Sequence, residues 1–193
     1  MKDGRKTLYY FVALSLVLSV VGISVGFATM STNLNLQGTA NVVPASWKVK
    51  FNNLSQPSIT GDASVVSEPQ IQSDTHIGDY EVKLTKPGDE ISYTFDITND
   101  GTIDAELSAF TFANPTIVGN GVNSQKDAKI VEDNLIYTLT YADGKSINNN
   151  DELNKGETKT LKLTIGYSSN ATELPTESVS VGDMDVTFVY SQK

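Results

Sequence analysis

The stretch Lys86-Pro87-Gly88-Asp89-Glu90-Ile91-Ser92-Tyr93-Thr94-Phe95-Asp96-Ile97-Thr98-Asn99-Asp100-Gly101 decides the fold. Ile91, Tyr93, Phe95 and Ile97 fall on alternate positions, with Ser, Thr and Asp between them. That is the period of a strand with one buried face, filled by the residue types that suit a pleated surface. Pro-Gly-Asp and Asn-Asp-Gly at its ends are turn signals. The same rhythm recurs on both sides. Upstream lie Tyr80, Val82 and Leu84, and a shorter set of Trp47, Val49 and Phe51. Downstream lie Leu135, Tyr137, Leu139 and Tyr141, then Leu161, Leu163, Ile165 and Tyr167, then Met184, Val186, Phe188 and Tyr190. Ala142-Asp143-Gly144 and Asn154-Lys155-Gly156 are further turns.

No stretch after residue 30 shows a helical period. The pattern therefore predicts an all-β domain over 45–193, an Ig-like or jelly-roll β-sandwich of seven to nine strands. Asn53–Thr75 and Gly119–Asp127, rich in small polar residues, read as surface loops or weak edges. Lys155-Gly156-Glu157 before Leu161 echoes Lys86-Pro87-Gly88-Asp89 before Ile91. Two strands of one sandwich start alike; each half is too short to close a core by itself.

Composition removes most chemistry. The 193 residues carry a formal net charge of −9, a single histidine (His76) and no cysteine. Disulfides, thiolate metal sites, cysteine nucleophiles and sites built on paired histidines are excluded. The acidic balance argues against a nucleic-acid partner. There is no His-Glu-x-x-His, no Ser-x-x-Lys and no phosphate-binding Gly-rich loop, and Gly-x-Ser-x-Gly occurs only inside the apolar leader, as Gly22-Ile23-Ser24-Val25-Gly26, where no strand-to-helix elbow forms a site. His76, in Asp74-Thr75-His76-Ile77-Gly78, reads as an exposed loop residue. The expectation is no enzyme, no catalytic residue and no cofactor. The run Asp143–Glu152 offers oxygen ligands of the kind Ca²⁺ takes. Lys145 stands where an acidic ligand belongs, so the run reads first as a solvated hairpin loop.

Residues 1–28 form an export segment. Lys2, Arg5 and Lys6 precede an uncharged apolar run, Leu8–Ala28, that ends Gly26-Phe27-Ala28. Small residues at both cleavage positions predict a cut between Ala28 and Thr29. Retention as a membrane helix is the alternative, because 21 residues at ~1.5 Å each span the hydrocarbon layer. A pilin-type cut after Gly4 ranks below both, since no Glu follows. Cleaved or anchored, the remainder is expected outside the cytoplasm, at the cell surface, touching membrane only through this helix. Removing the leader's three positive and one negative charges leaves −11.

Residues 29–44 form an extended segment of their own. Met30, Leu34, Leu36, Ala40 and Val42 all fall on even positions, and Pro44 ends the run. A strand with one apolar face must pair with something. From Gly38 onward the expectation is pairing within its own sandwich; residues 29–37 are expected to be donated to a neighbouring subunit.

This order of parts resembles the TasA/camelysin family of bacterial surface and biofilm-matrix proteins. The likeness rests on Val21-Gly22-Ile23-Ser24-Val25-Gly26-Phe27-Ala28 leading into a polar, strand-like segment. It rests equally on Leu84-Thr85-Lys86-Pro87-Gly88-Asp89-Glu90 followed by Tyr93–Thr102. It covers the leader and roughly the middle third; the lysine-rich tail and long charged insertions of the TasA branch are missing. The resemblance implies a jelly-roll-like sandwich, export by a dedicated signal peptidase and assembly into fibres. Some camelysin-type relatives are described as metalloproteases, and the residues for that are lacking. The expected function is a structural subunit of an extracellular fibre or biofilm matrix. It would self-associate into filaments by strand donation, with other matrix or surface components as further partners. The alternative is a membrane-anchored or secreted monomeric surface domain that binds a ligand such as a glycan.

Overall fold

A computed structural model describes residues 3–28 and 42–193. The chain divides into two units, Met1–Val43 and Pro44–Lys193. The first holds helix α1, Asp3–Ala28. Among the described residues, no helix is long and apolar enough to cross a membrane. Side chains in α1 are described only for residues 6–18, whereas the apolar run of the sequence continues to Ala28.

The second unit is mostly β-strand. Its elements are β1 Val49–Asn52, β2 Ser58–Thr60, β3 Ser64–Ser67, β4 Ile71–Ser73, β5 His76–Ile77, β6 Glu81–Lys83 and β7 Glu90–Asn99. They continue with β8 Ala105–Phe112, β9 Thr116–Gly119, α2 Ser124–Asn134, β10 Leu135–Tyr141, β11 Glu152–Leu153, β12 Thr158–Tyr167, β13 Val179–Gly182 and β14 Val186–Gln192. Fourteen strands replace the expected seven to nine because several ladders are cut into short pieces.

The larger sheet runs β1-β7-β12-β10, with β2 also on β7. Its registers put like with like: Ile91↔Ile165, Tyr93↔Leu163 and Phe95↔Leu161 across β7 and β12, then Leu163↔Leu139 across β12 and β10. One continuous apolar face results. The second layer is β11-β8-β14, which contributes Ala105, Leu107 and Leu153, all fully buried, to the same core as Phe95, Leu161 and Ile165. Aromatic contacts align the layers. Phe51 of β1 meets Phe188 of β14 at 6.2 Å, and Phe112 of β8 stacks on Tyr137 of β10 at 4.4 Å.

β9 and β13 prolong the second layer. Gly182 pairs with Thr116 and Val186 with Phe112, so one register persists through the interruption at 113–115 and 183–185. Pro115 has no N–H to give to a ladder. Asp183 stands at φ 55°, in the left-handed region.

The structure corrects the expectation that no helix follows residue 30, and that Gly119–Asp127 is only loop. Ser124–Asn134 is helical. Its buried residues are Asp127 and Val131, one turn apart. An apolar-period search misses such a helix because one of its two inward positions is a carboxylate. Trp47 and Met184 also fall outside the strands their alternation suggested.

Candidate functional site

The turn residues that carried the sequence pattern turn out to be anchors. Asp89 is 1% exposed. Its Oδ2 accepts from Thr85 N at 2.7 Å, Thr85 Oγ1 at 2.9 Å and Lys86 N at 3.0 Å, while Oδ1 accepts from Asp62 N at 2.8 Å. Burial alone would raise its pKa; these bonds outweigh it and hold the carboxyl at about 2. Gly88, at φ +88°, supplies the left-handed residue that brings Asp89 round. Asn99, fully buried, donates to the carbonyls of Ile103 (2.8 Å) and Leu153 (3.0 Å) and accepts from Gly101 N. Both residues tie distant segments to the ends of β7.

Asp89, through Thr85 and Lys86, holds one wall of a slot. Within the described residues, β13 pairs only with β9, β14 only with β8, and β6 only with β3. The unpaired edge of β13–β14 and that of β6 border the same opening. Its wide end, about 630 Å³, lies between Glu81–Lys83 and Val179–Val181, over Ile165 and Tyr167 of the larger sheet. It shares Tyr80, Val181 and Met184 with a middle section of about 430 Å³, floored by Tyr93, Phe95 and Leu163. That section in turn shares Phe51 and Phe188 with a narrow end of about 180 Å³ beside Trp47 and Tyr190. Core residues of the larger sheet line this opening and are themselves buried, Tyr93 and Ile165 each 2% exposed.

Polar and apolar groups share the lining of the slot, apolar ones leading at the wide end. Burial pushes the phenol pKa of Tyr80 up strongly, with Tyr137 beside it adding to the effect. Burial first, then Asp151 and Glu157, push Tyr190 up to about 12. Tyr137 Oη donates to the Met184 carbonyl at 2.7 Å. The Tyr93 hydroxyl is buried without a hydrogen-bond partner among the described residues, an arrangement that costs free energy, while that of Tyr80 lies beside Tyr137.

At the wide end a second carboxylate acts as a clamp. Asp127 of α2 is fully buried and accepts from Thr176 N (3.0 Å), Thr176 Oγ1 (2.8 Å) and Glu177 N (3.0 Å). The Thr176 N–H is the main cause of its lowered pKa. The clamp fixes Leu174–Glu177, which forms part of the wide end's wall. Neither the clamp nor the slot is readable from the sequence: one is a single Asp in a polar stretch, the other a pairing that does not occur.

Of the residues expected to form the polymerisation strand, Met30, Leu34, Leu36 and Ala40 lie outside the described residues, as does Thr29 of the cleavage pair. Ala28 is the last residue of α1. Val42 belongs to no strand and is 88% exposed. Own-sandwich pairing, expected from Gly38 onward, therefore does not extend to Val42. His76 opens β5, is exposed, and lines the middle of the slot. In the run considered for Ca²⁺, Asp143 pairs with Lys145 at 2.6 Å, and Asp151 accepts from Tyr141 Oη and Asn148 N. Among the described residues no group of three or more metal-ligating side chains gathers.

No family model matches the chain, and no curated protein or solved structure matches it.

Proposed function

We propose that this chain is an exported, non-enzymatic subunit of an extracellular fibre or biofilm matrix, built as a jelly-roll-like sandwich and assembling by β-strand donation. The observation that carries the reading is the slot: two strand edges, unpaired within the described residues, border one opening above the core. Each unpaired edge is a row of free N–H and C=O groups, which a monomer normally covers or blunts. An extended segment laid between them would pair on both sides and fill the opening. Residues 29–41 have the required form, with apolar side chains on every second position except Thr32 and Gly38, and no charged side chain. Burying Leu34 and Leu36 would contribute roughly 1.5–3 kcal/mol each. Donation from one copy to the next is head-to-tail and does not close, so it builds a filament. The succession β7, β8, β10, β11, β12, β14, which alternates between the two layers, supports the jelly-roll reading over the Ig-like one.

The deciding experiment is electron microscopy of exported protein carrying Leu34→Asp with Leu36→Asp, beside circular-dichroism melting. The expected result is loss of filaments with cooperative melting kept. Filaments from the double variant would sink the reading, and so would failure to fold.

A further inference from the structure

The slot is uneven, and the unevenness has a direction. It narrows from about 630 Å³ through 430 Å³ to 180 Å³ along the course of β13 and β14. The inward positions of segment 29–41 are uneven too: Leu34 and Leu36 are large, Gly38 has no side chain and Ala40 has one carbon. Resting on the strand-donation reading, we infer that the slot accepts this segment from a second copy in one orientation only. The donated strand runs parallel to β14 and antiparallel to β6, with Leu34 and Leu36 in the wide end and Gly38 over Tyr80.

Three observations converge on that register. First, Leu84, Val82 and Tyr80 follow one another along one wall toward the middle of the slot, all three half-buried and Tyr80 the bulkiest. Antiparallel pairing then sets Leu34 by Leu84, Leu36 by Val82 and Gly38 by Tyr80, so the bare position meets the largest side chain. Complementary sizes of this kind give native packing density without strain. Reversing the strand would push leucines against Tyr80 and Phe188 and leave the wide end filled only by Gly38 and Ala40. Second, the lengths agree. Met30 to Val42 spans ~40 Å as a strand and Val179 to Tyr190 ~36 Å, at about 3.3 Å per residue. Third, the rings of Tyr80 and Tyr93 stand together at the position assigned to Gly38. A residue with no Cβ lets the main chain approach closely over those rings.

The chain has no cysteine, so engineered disulfides read the register without background. Two double variants of the exported protein are allowed to assemble under oxidising conditions and run on gels with and without reductant. Leu36→Cys with Val82→Cys is expected to give a ladder of disulfide-linked multimers; Leu36→Cys with Val186→Cys is expected to give none. A ladder only from the Val186 pair overturns the orientation and leaves strand donation standing. Filaments without a ladder from either pair overturn the orientation as well. A disulfide closed within one chain places the segment in its own slot and overturns both readings. Gly38→Ala and Gly38→Leu supply an independent measure. Filament yield should survive the first and fall at least tenfold with the second, while both variants melt like the parent. Undiminished filaments from Gly38→Leu would refute the register.

Discussion

β7 and β14 are built from the same kind of sequence and end in different situations. Each alternates aromatic and β-branched residues with polar ones. β7 is paired on both edges and nearly all of its residues are buried or half-buried; β14 is paired with β8 alone and every second residue is exposed. The alternation sets which face a strand buries, and it is silent on whether the strand's edges are used. In this molecule the closed half, β7-β12-β10 over β8 and β11, supplies the stability. The half-open flank along β13–β14 supplies the place where something can still add.

Breaking the closed half should have the largest effect. Leu161 is 1% exposed and sits between β7 and β10 at the centre of the core. Leu161→Ala removes buried methyl groups and leaves a cavity, at a cost of about 3–5 kcal/mol. Chemical denaturation should show a midpoint shift of that size with an unchanged slope. A cost under 1 kcal/mol would mean that the core is not centred on these two sheets.

Asp89 ranks next. Asp89→Ala leaves three N–H groups and the Thr85 hydroxyl without their acceptor, for a loss of roughly 3 kcal/mol. The pH dependence has a definite sign. The folded carboxyl titrates at about 2, below the ordinary value of 3.8. Its contribution is therefore present above pH ~4 and is lost as the pH falls from 4 toward 2. Asp127, also lowered, acts in the same direction. Melting curves of the parent should fall steeply over that interval, and those of Asp89→Ala should fall less. Parallel acid profiles would show that this carboxylate is not a source of acid sensitivity.

How much of this was legible beforehand follows from the same contrast. β7, β10 and β12 coincide with their alternating runs to within a few residues, because each packs its apolar face on the core and pairs over most of its length, although β10 pairs on one edge only. Tyr80–Leu84 looked equally regular, yet only Glu81–Lys83 pair as β6, because the partner on one side is missing. Helix α2 was hidden because Asp127, not an apolar residue, fills an inward position. Asp89 was legible as a turn residue, while its bond to Asp62, 27 residues away, is a tertiary fact no local pattern carries. The slot is a relation between β6 and β13–β14, three separate pieces of sequence, and alternation in any one of them does not announce it.

The tyrosines give a graded test of the open flank. A phenol whose folded pKa is raised contributes stability that is present below the unfolded value of about 10 and fades as pH rises through the folded one. Tyr80, Tyr93 and Tyr190, all on the slot, are raised by burial. Ultraviolet titration of the monomer should show these groups ionising above the ordinary value of about 10. On the strand-donation proposal a donated strand would cover them in filaments, and the transition should then move higher still. Superimposable curves for monomer and filament would indicate that nothing enters the slot on assembly.

The smallest effect comes from the second acidic turn. Glu157 starts β12 as Asp89 starts β7, behind Gly156 at φ +75° as Asp89 stands behind Gly88. Its carboxylate accepts only from Asn154, the main-chain N at 2.8 Å and Nδ2 at 3.0 Å, and it is half-buried. These bonds are local and compete with water, so Glu157→Ala should cost about 0.5–1 kcal/mol. The two turns lie at opposite ends of the β7–β12 ladder, since Thr158 pairs with Thr98 and Gly166 with Glu90. Eight residues of strand separate them by roughly 26 Å, well beyond the range at which substitutions couple. The double variant Asp89→Ala/Glu157→Ala should therefore lose the sum of the two single costs to within about 0.5 kcal/mol in a denaturant titration. A clear departure from additivity would mean that the ladder transmits strain from end to end, and that the closed half behaves as one cooperative body rather than as two anchored turns on a rigid sheet.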